Sequence, residues 1–129
     1  MLTFPDQPDL EPVSDRLYRL RSTYLYLNND GFFLRIKKGY TSDGASVPRL
    51  VWTLTGITPD GLHRAAALIH DYIYDHAGRL PPQSCSKLSW TRKEADQIFL
   101  RIMREAGVSS FKSAIAYRAV RAFGWTGWK

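Results

Sequence analysis

The sequence predicts an α+β fold, an N-terminal antiparallel β-hairpin or small sheet followed by three helices. Three observations lead there. Asn28-Asn29-Asp30-Gly31 separates two segments rich in aromatic and aliphatic residues, and Asn, Asp and Gly tolerate the positive φ that hairpin turns need. After Gly61, apolar residues recur at helical spacing in three separate stretches. At the head of the middle stretch, Thr91 and Glu94 have the spacing of a capping box.

Residues 1–15 carry Pro5, Pro8 and Pro12 among several acids and predict an extended arm. Residues 16–129 form a single domain, long enough to bury a core without staples. With 44% hydrophobic and 23% charged residues, the composition is that of a folding globular chain. Arg16 to Leu27 alternates imperfectly, with Leu17, Leu25 and Leu27 against Arg16, Tyr24 and Tyr26, and reads as one or two strands. Phe32 to Lys37 returns as the next strand, so residues 16–38 are the strand region.

Residues 39–60 predict a structured loop, with a short helical turn at Arg49 to Leu54. Residues 61–123 predict the three helices. The first spans Gly61 to His76, with Asp60 as a plausible N-cap. Gly78 to Ser89 is a loop. The second runs from Thr91 to Ala106 with the stripe Ala95, Ile98, Phe99, Ile102, Met103 and Ala106, and Gly107 stops it. Ser109 or Ser110 caps the third, which runs to about Phe123. There is no internal repeat and no low-complexity segment.

The formal net charge of +6 favours anionic partners, whether nucleic acid, an anionic lipid surface or an acidic protein. The basic residues are spread along the chain, with no basic run and no sequence-specific nucleic-acid motif. A single cysteine, Cys85, excludes an intramolecular disulfide and a Cys-rich zinc module. It lies in the Pro- and Ser-rich stretch Leu80 to Ser86, which offers no base to activate a thiol. Met1 to Asp6 lacks a basic and apolar signal-peptide pattern, and no apolar run approaches the ~20 residues of a transmembrane helix. A protein made in a reducing cytoplasm is expected.

The candidate site follows from helix geometry. Residues four apart share a helix face, so His63, Ala67, His70 and Tyr74 form one stripe, while Asp71 projects to its side. Asp96 lies at the border of the second helix's apolar stripe. If the two helices pack antiparallel across their short loop, Asp96 can accept from the His70 imidazole and the Tyr74 phenol together. That bond would set the tautomer of His70, whose second nitrogen could then activate water or bind a metal. Asp71 would be a hard oxygen ligand for a divalent cation. The alternative is a network that satisfies buried polar groups and fixes helix register. His76, at the helix end, is placed for the helix dipole.

Ser42 to Arg49 is the second candidate. Its Asp and Ser side chains either cap a tight Gly turn or bring Asp43 and Ser46 to the helix pair, completing a metal or substrate site. Arg49 and Arg92 could then hold an anion.

Four motifs, Thr41 to Arg49, Ala66 to Tyr74, Arg92 to Phe99 and Tyr117 to Gly124, together resemble a small bacteriophage and prophage family catalogued as a domain of unknown function. The resemblance implies a phage setting, with other phage proteins as partners and a place in the virion or tail as one outcome. A local resemblance lies in His70-Asp71-x-x-Tyr74 with Asp96 on the partner helix, which is similar to the catalytic helix pair of phospholipase A2. That similarity implies His70 as base, Asp71 as calcium ligand and Asp96 as the residue orienting His70. Phospholipase A2 completes its calcium site from a Gly-rich loop, for which Gly39 to Ser46 would have to substitute.

Three function classes are therefore expected. One is a metal-assisted hydrolase of ester, phospholipid or cell-envelope substrates, with calcium first and zinc second as the cation. Another is a non-enzymatic phage virion or tail component in which the cluster only stabilises the fold. The third is a module that meets an anionic partner through Arg118, Arg121, Trp125 and Trp128.

Overall fold

The computed structural model describes residues 8–14, 17–27, 30–42 and 64–129. Within the stretch expected as an arm, β1 (Leu10–Pro12) pairs antiparallel with β2 (Tyr18–Leu20), Leu10 opposite Leu20. The hairpin is present: β3 (Tyr24–Leu27) pairs antiparallel with β4 (Phe33–Ile36), Tyr24 opposite Ile36 and Leu27 opposite Phe33. Gly31 has φ +82°, the left-handed conformation that a turn places on glycine; Asn28 and Asn29 lie outside the described residues. Thr41–Ser42, expected within a loop, forms β5 and pairs with β2, giving a three-stranded sheet of order β1-β2-β5. Two residues are too few for a periodic signal in the sequence.

The hairpin buries its tyrosines. Tyr24 and Tyr26 are inside, opposite Ile36 and Leu34, whereas Leu25 and Leu27 are 47% and 61% exposed. The larger rings bury more area, and Tyr26 keeps its hydroxyl bonded to the Glu105 carboxylate, so aromatic bulk decides the facing. Arg101 reaches Asp30 at 3.1 Å and Glu105 at 3.4 Å, tying the same helix end to the hairpin.

Among the described residues three helices follow, α1 (Arg64–Asp75), α2 (Arg92–Glu105) and α3 (Ser110–Phe123), with a 3-10 turn at Gly124–Gly127. The capping box on α2 forms as expected. Thr91 Oγ1 accepts from the Glu94 N–H at 3.1 Å, and Glu94 Oε1 accepts from the Thr91 N–H at 2.9 Å. Ser109 caps α3 by accepting from the Lys112 N–H. Helix α2 packs on both α1 and α3.

Helix α1 is the centre of the fold. Every residue from Ala65 to Tyr74 is buried, so it has no solvent face. A helix enclosed on all sides must satisfy whatever polar side chains it carries, and α1 carries His70, Asp71, Tyr72 and Tyr74. The connection to α2 is held by isolated bridges from Leu34 to Cys85 and from Arg79 to Ser89. Cys85 is buried, and that burial pushes its thiol pKa up. Among the described residues, no helix is long and apolar enough to cross a membrane.

Candidate functional site

Asp96 sits in the first turns of α2 beside the apolar stripe, and no part of its side chain reaches solvent. Its Oδ1 accepts from His70 Nε2 at 2.6 Å and from the Tyr74 hydroxyl at 2.5 Å. One carboxylate oxygen thus joins both residues of the α1 stripe. A carboxylate can only accept, so the bond places a proton on Nε2 of His70. Rings complete the enclosure: Tyr74 and Phe99 lie 4.1 and 4.9 Å from the imidazole, centroid to centroid.

The other oxygen of Asp96 serves the third helix. Oδ2 accepts from the Arg121 guanidinium at 2.8 Å, and Arg92 stands 3.6 Å away. Arg92 also donates to the carbonyls of Val120 and Arg121 in the last turn of α3, both at 3.1 Å, and the Val120 carbonyl accepts from the Gly124 N–H as well. The anion-holding role expected for Arg92 therefore meets a guanidinium already engaged within the fold.

These contacts set the protonation states. Burial pushes the Asp96 carboxyl up, but hydrogen bonds from His70, Tyr74 and Arg121 outweigh it and hold the group below its ordinary value. Burial dominates at His70 and holds its imidazole low against the opposing pull of Asp96. Burial, then the bond to Asp96, push the Tyr74 phenol up. Near neutral pH the cluster is a carboxylate, a neutral imidazole and a protonated phenol.

Asp71 faces different partners, as adjacent helical residues must. Its Oδ2 accepts from Ser42 Oγ on β5 at 2.7 Å, and the Tyr40 hydroxyl lies 3.4 Å away. Tyr40 donates chiefly to Asp75 Oδ2 at 2.5 Å, and Asp75 also meets Lys129 at 3.2 Å. Burial and the nearby Asp71 charge push the Tyr40 phenol well above its ordinary value. Calcium takes six to eight oxygens, whereas no three His, Cys, Asp or Glu side chains converge among the described residues. Asp71 and Ser42 alone do not make a complete cation site. Asp43, Ser46, Arg49 and His63, the other expected contributors, lie outside the described residues, as do Asp60 and the turn at Arg49 to Leu54.

Sequence reasoning did not place Arg121, Tyr40 or Ser42 at these carboxylates. Arg121 was expected on a basic, aromatic surface, yet it reaches inward to Asp96. Its position in the last turn of α3 was the available signal, since a long cationic side chain there can reach a packed neighbour. Trp128 is half-buried and packs edge-on against Tyr74, with centroids 5.0 Å apart, while Trp125 is 65% exposed. His76, near the end of α1, has its Nδ1 2.8 Å from the Tyr72 carbonyl.

Comparison with known proteins adds a family. The chain is 30% identical over 112 residues to the uncharacterized protein y4jT of Sinorhizobium fredii, covering 85% of this chain and 30% of that protein. It is 29% identical over 105 residues to the uncharacterized protein y4iH of the same organism, covering 81% of this chain and 39% of that one. The chain thus spans about a third of the length of these curated relatives. No solved structure gives a significant match. Residues 18–120, which hold the hairpin, α1, α2 and most of α3, match the family model described as a protein of unknown function, DUF1353, and the chain belongs to that family.

Proposed function

We propose that this domain is a metal-assisted hydrolase of an ester, phospholipid or cell-envelope substrate, with His70 as the general base. The observation that carries the reading is the single oxygen of Asp96 that accepts from both His70 and Tyr74. It orients the imidazole about a fixed Nε2–H, while burial keeps the ring neutral, the form in which a histidine can act as a base. Asp96 and Tyr74 are positioning residues in this scheme. Asp71, turned away from Asp96, would contribute to a divalent cation site together with Asp43, calcium ahead of zinc. Such a cation would supply electrostatic stabilisation of a developing oxyanion. The setting proposed with this activity is a phage or prophage protein made in the host cytoplasm, with other phage proteins or an anionic surface as partners.

A second reading is favoured by burial. His70 and Asp96 are both fully enclosed, and Asp96 on α2 accepts from donors on α1 and α3, with the Arg92 guanidinium 3.6 Å away. On this reading the cluster locks the helices together, and the protein acts through its surface as a virion or tail component.

Calorimetric titration of calcium, magnesium and zinc, paired with ester, phospholipid and peptidoglycan substrates, separates the two. A hydrolase loses turnover in His70→Gln with its circular dichroism retained, and loses cation affinity in Asp71→Asn. No turnover by the wild type, with no cation bound below millimolar concentration, would leave the structural reading standing.

A further inference from the structure

Helix α3 is built inside out. The side it turns to the core is made of Ser113, Ala116, Ala119 and Val120, small residues that let it sit close to α2. Directly opposite, Phe111, Ile115, Arg118 and Ala122 follow one another at helical spacing, and Trp125 continues the line in the turn beyond. Phe111 is 76% exposed and Trp125 is 65% exposed, while Ile115 is partly exposed. Isolated exposed apolar residues are ordinary, but an aligned Phe, Ile and Trp on one outward helix face need an apolar partner.

Charge identifies the partner. Residues 106–129 contain no Asp or Glu, and the exposed Lys112 and Arg118 flank or interrupt the apolar line. Aromatic and aliphatic side chains on one face with basic residues around them are the pattern of a helix lying in the plane of a membrane interface. Trp at the end of such a line suits the headgroup region, where its ring has both apolar and polar surroundings. The net charge of +6 adds attraction to a negative surface. We infer that the outward face of α3 is a docking surface for an anionic lipid bilayer, with Phe111 and Trp125 inserted and Lys112 and Arg118 at the headgroups. The inference stands on α3 alone and holds whether or not His70 is catalytic.

The test is co-sedimentation of the full chain with phosphatidylcholine vesicles, with and without phosphatidylserine. The wild type should pellet with the anionic vesicles at low salt and remain in solution with the neutral ones. Replacing Phe111 and Trp125 together with Ser should weaken binding by about tenfold or more, because two inserted side chains are removed. Arg118→Glu should weaken it too, and added salt should release the wild type. All three positions are exposed, and circular dichroism checks that the variants fold. Wild-type protein that stays in solution, or a double variant that binds as well as the wild type, overturns the inference. So does a dimer in light scattering that Phe111→Ser dissociates while no vesicles bind, which would assign the face to a second copy of the chain.

Discussion

Replacing Asp96 with Ala removes a carboxylate that ties α2 to both α1 and α3. Two fully enclosed donors, His70 Nε2–H and the Tyr74 hydroxyl, lose their acceptor together. Each stranded buried donor costs about 1–3 kcal/mol, so the pair predicts a loss of about 2–6 kcal/mol. Arg121 adds less, because its partly exposed guanidinium can turn to water. Against a total stability of about 5–15 kcal/mol for an ordinary domain, that loss leaves a marginal fold. Asp96→Asn should fall between wild type and Ala: its amide oxygen can still accept from His70 and Tyr74, but its NH2 would face the Arg121 donor. Urea melts followed by far-ultraviolet circular dichroism give the midpoints, and an unchanged slope assigns the difference to stability. An Asp96→Ala midpoint equal to that of the wild type would refute the argument, since it would mean that neither donor depends on this carboxylate.

Acid should destabilise the protein through the same cluster. His70 is held below its ordinary 6.5, so as pH falls the unfolded chain binds a proton that the folded chain refuses, and stability drops from about pH 6.5 downward. Asp96, held below its ordinary 3.8, has the same sign and adds its loss only below that value. Urea midpoints should therefore decline from about pH 6.5 toward 5, and decline less in His70→Gln. Gly124→Ala would place a Cβ 2.9 Å from the Tyr74 hydroxyl, and the overpacking should cost about 1–3 kcal/mol in the same melts. Thr91→Ala removes the acceptor for the Glu94 N–H and should cost about 1 kcal/mol, with a smaller loss for Thr91→Ser.

How much of this was legible in the sequence depended on the range of the interaction. The capping of α2 and α3 rests on residues three apart, and Thr91, Glu94 and Ser109 signal it openly. The Asp96 bonds to His70 and Tyr74 required only a stripe on one helix and a polar residue at the edge of its neighbour. Strand β5 did not show, because Thr41–Ser42 is too short for periodicity and is defined only by pairing with Tyr18 and Arg19. The facing of β3 was open for a different reason. Leucine and tyrosine alternate there, and the inward set is fixed by ring bulk together with the bond from Tyr26 to Glu105, a residue remote in sequence. Arg121 was read by its charge, although its reach from the end of α3 to a buried carboxylate is a tertiary fact.

An imidazole that acts as a base must hold a proton for part of its cycle, and the surroundings of His70 determine how readily it can. Burial opposes the charge, Asp96 favours it and Arg92 opposes it. Arg121 acts through Asp96, since a guanidinium 2.8 Å from Oδ2 competes for the charge that would stabilise an imidazolium on Oδ1. The carboxylate that orients His70 is thus only partly available to support its protonation. Arg121→Gln separates orientation from charge, because it leaves the bonds to His70 and Tyr74 in place while removing the competing cation. With a catalytic His70, the variant's imidazole becomes more basic, and the acid limb of the activity profile should move to higher pH. With a purely structural cluster, the same change raises the folded-state pKa of His70 and flattens the acid loss of stability, with no turnover to shift. The two profiles, activity and urea midpoint against pH, are measured on one variant, and an acid limb unmoved by Arg121→Gln would remove His70 from the reaction.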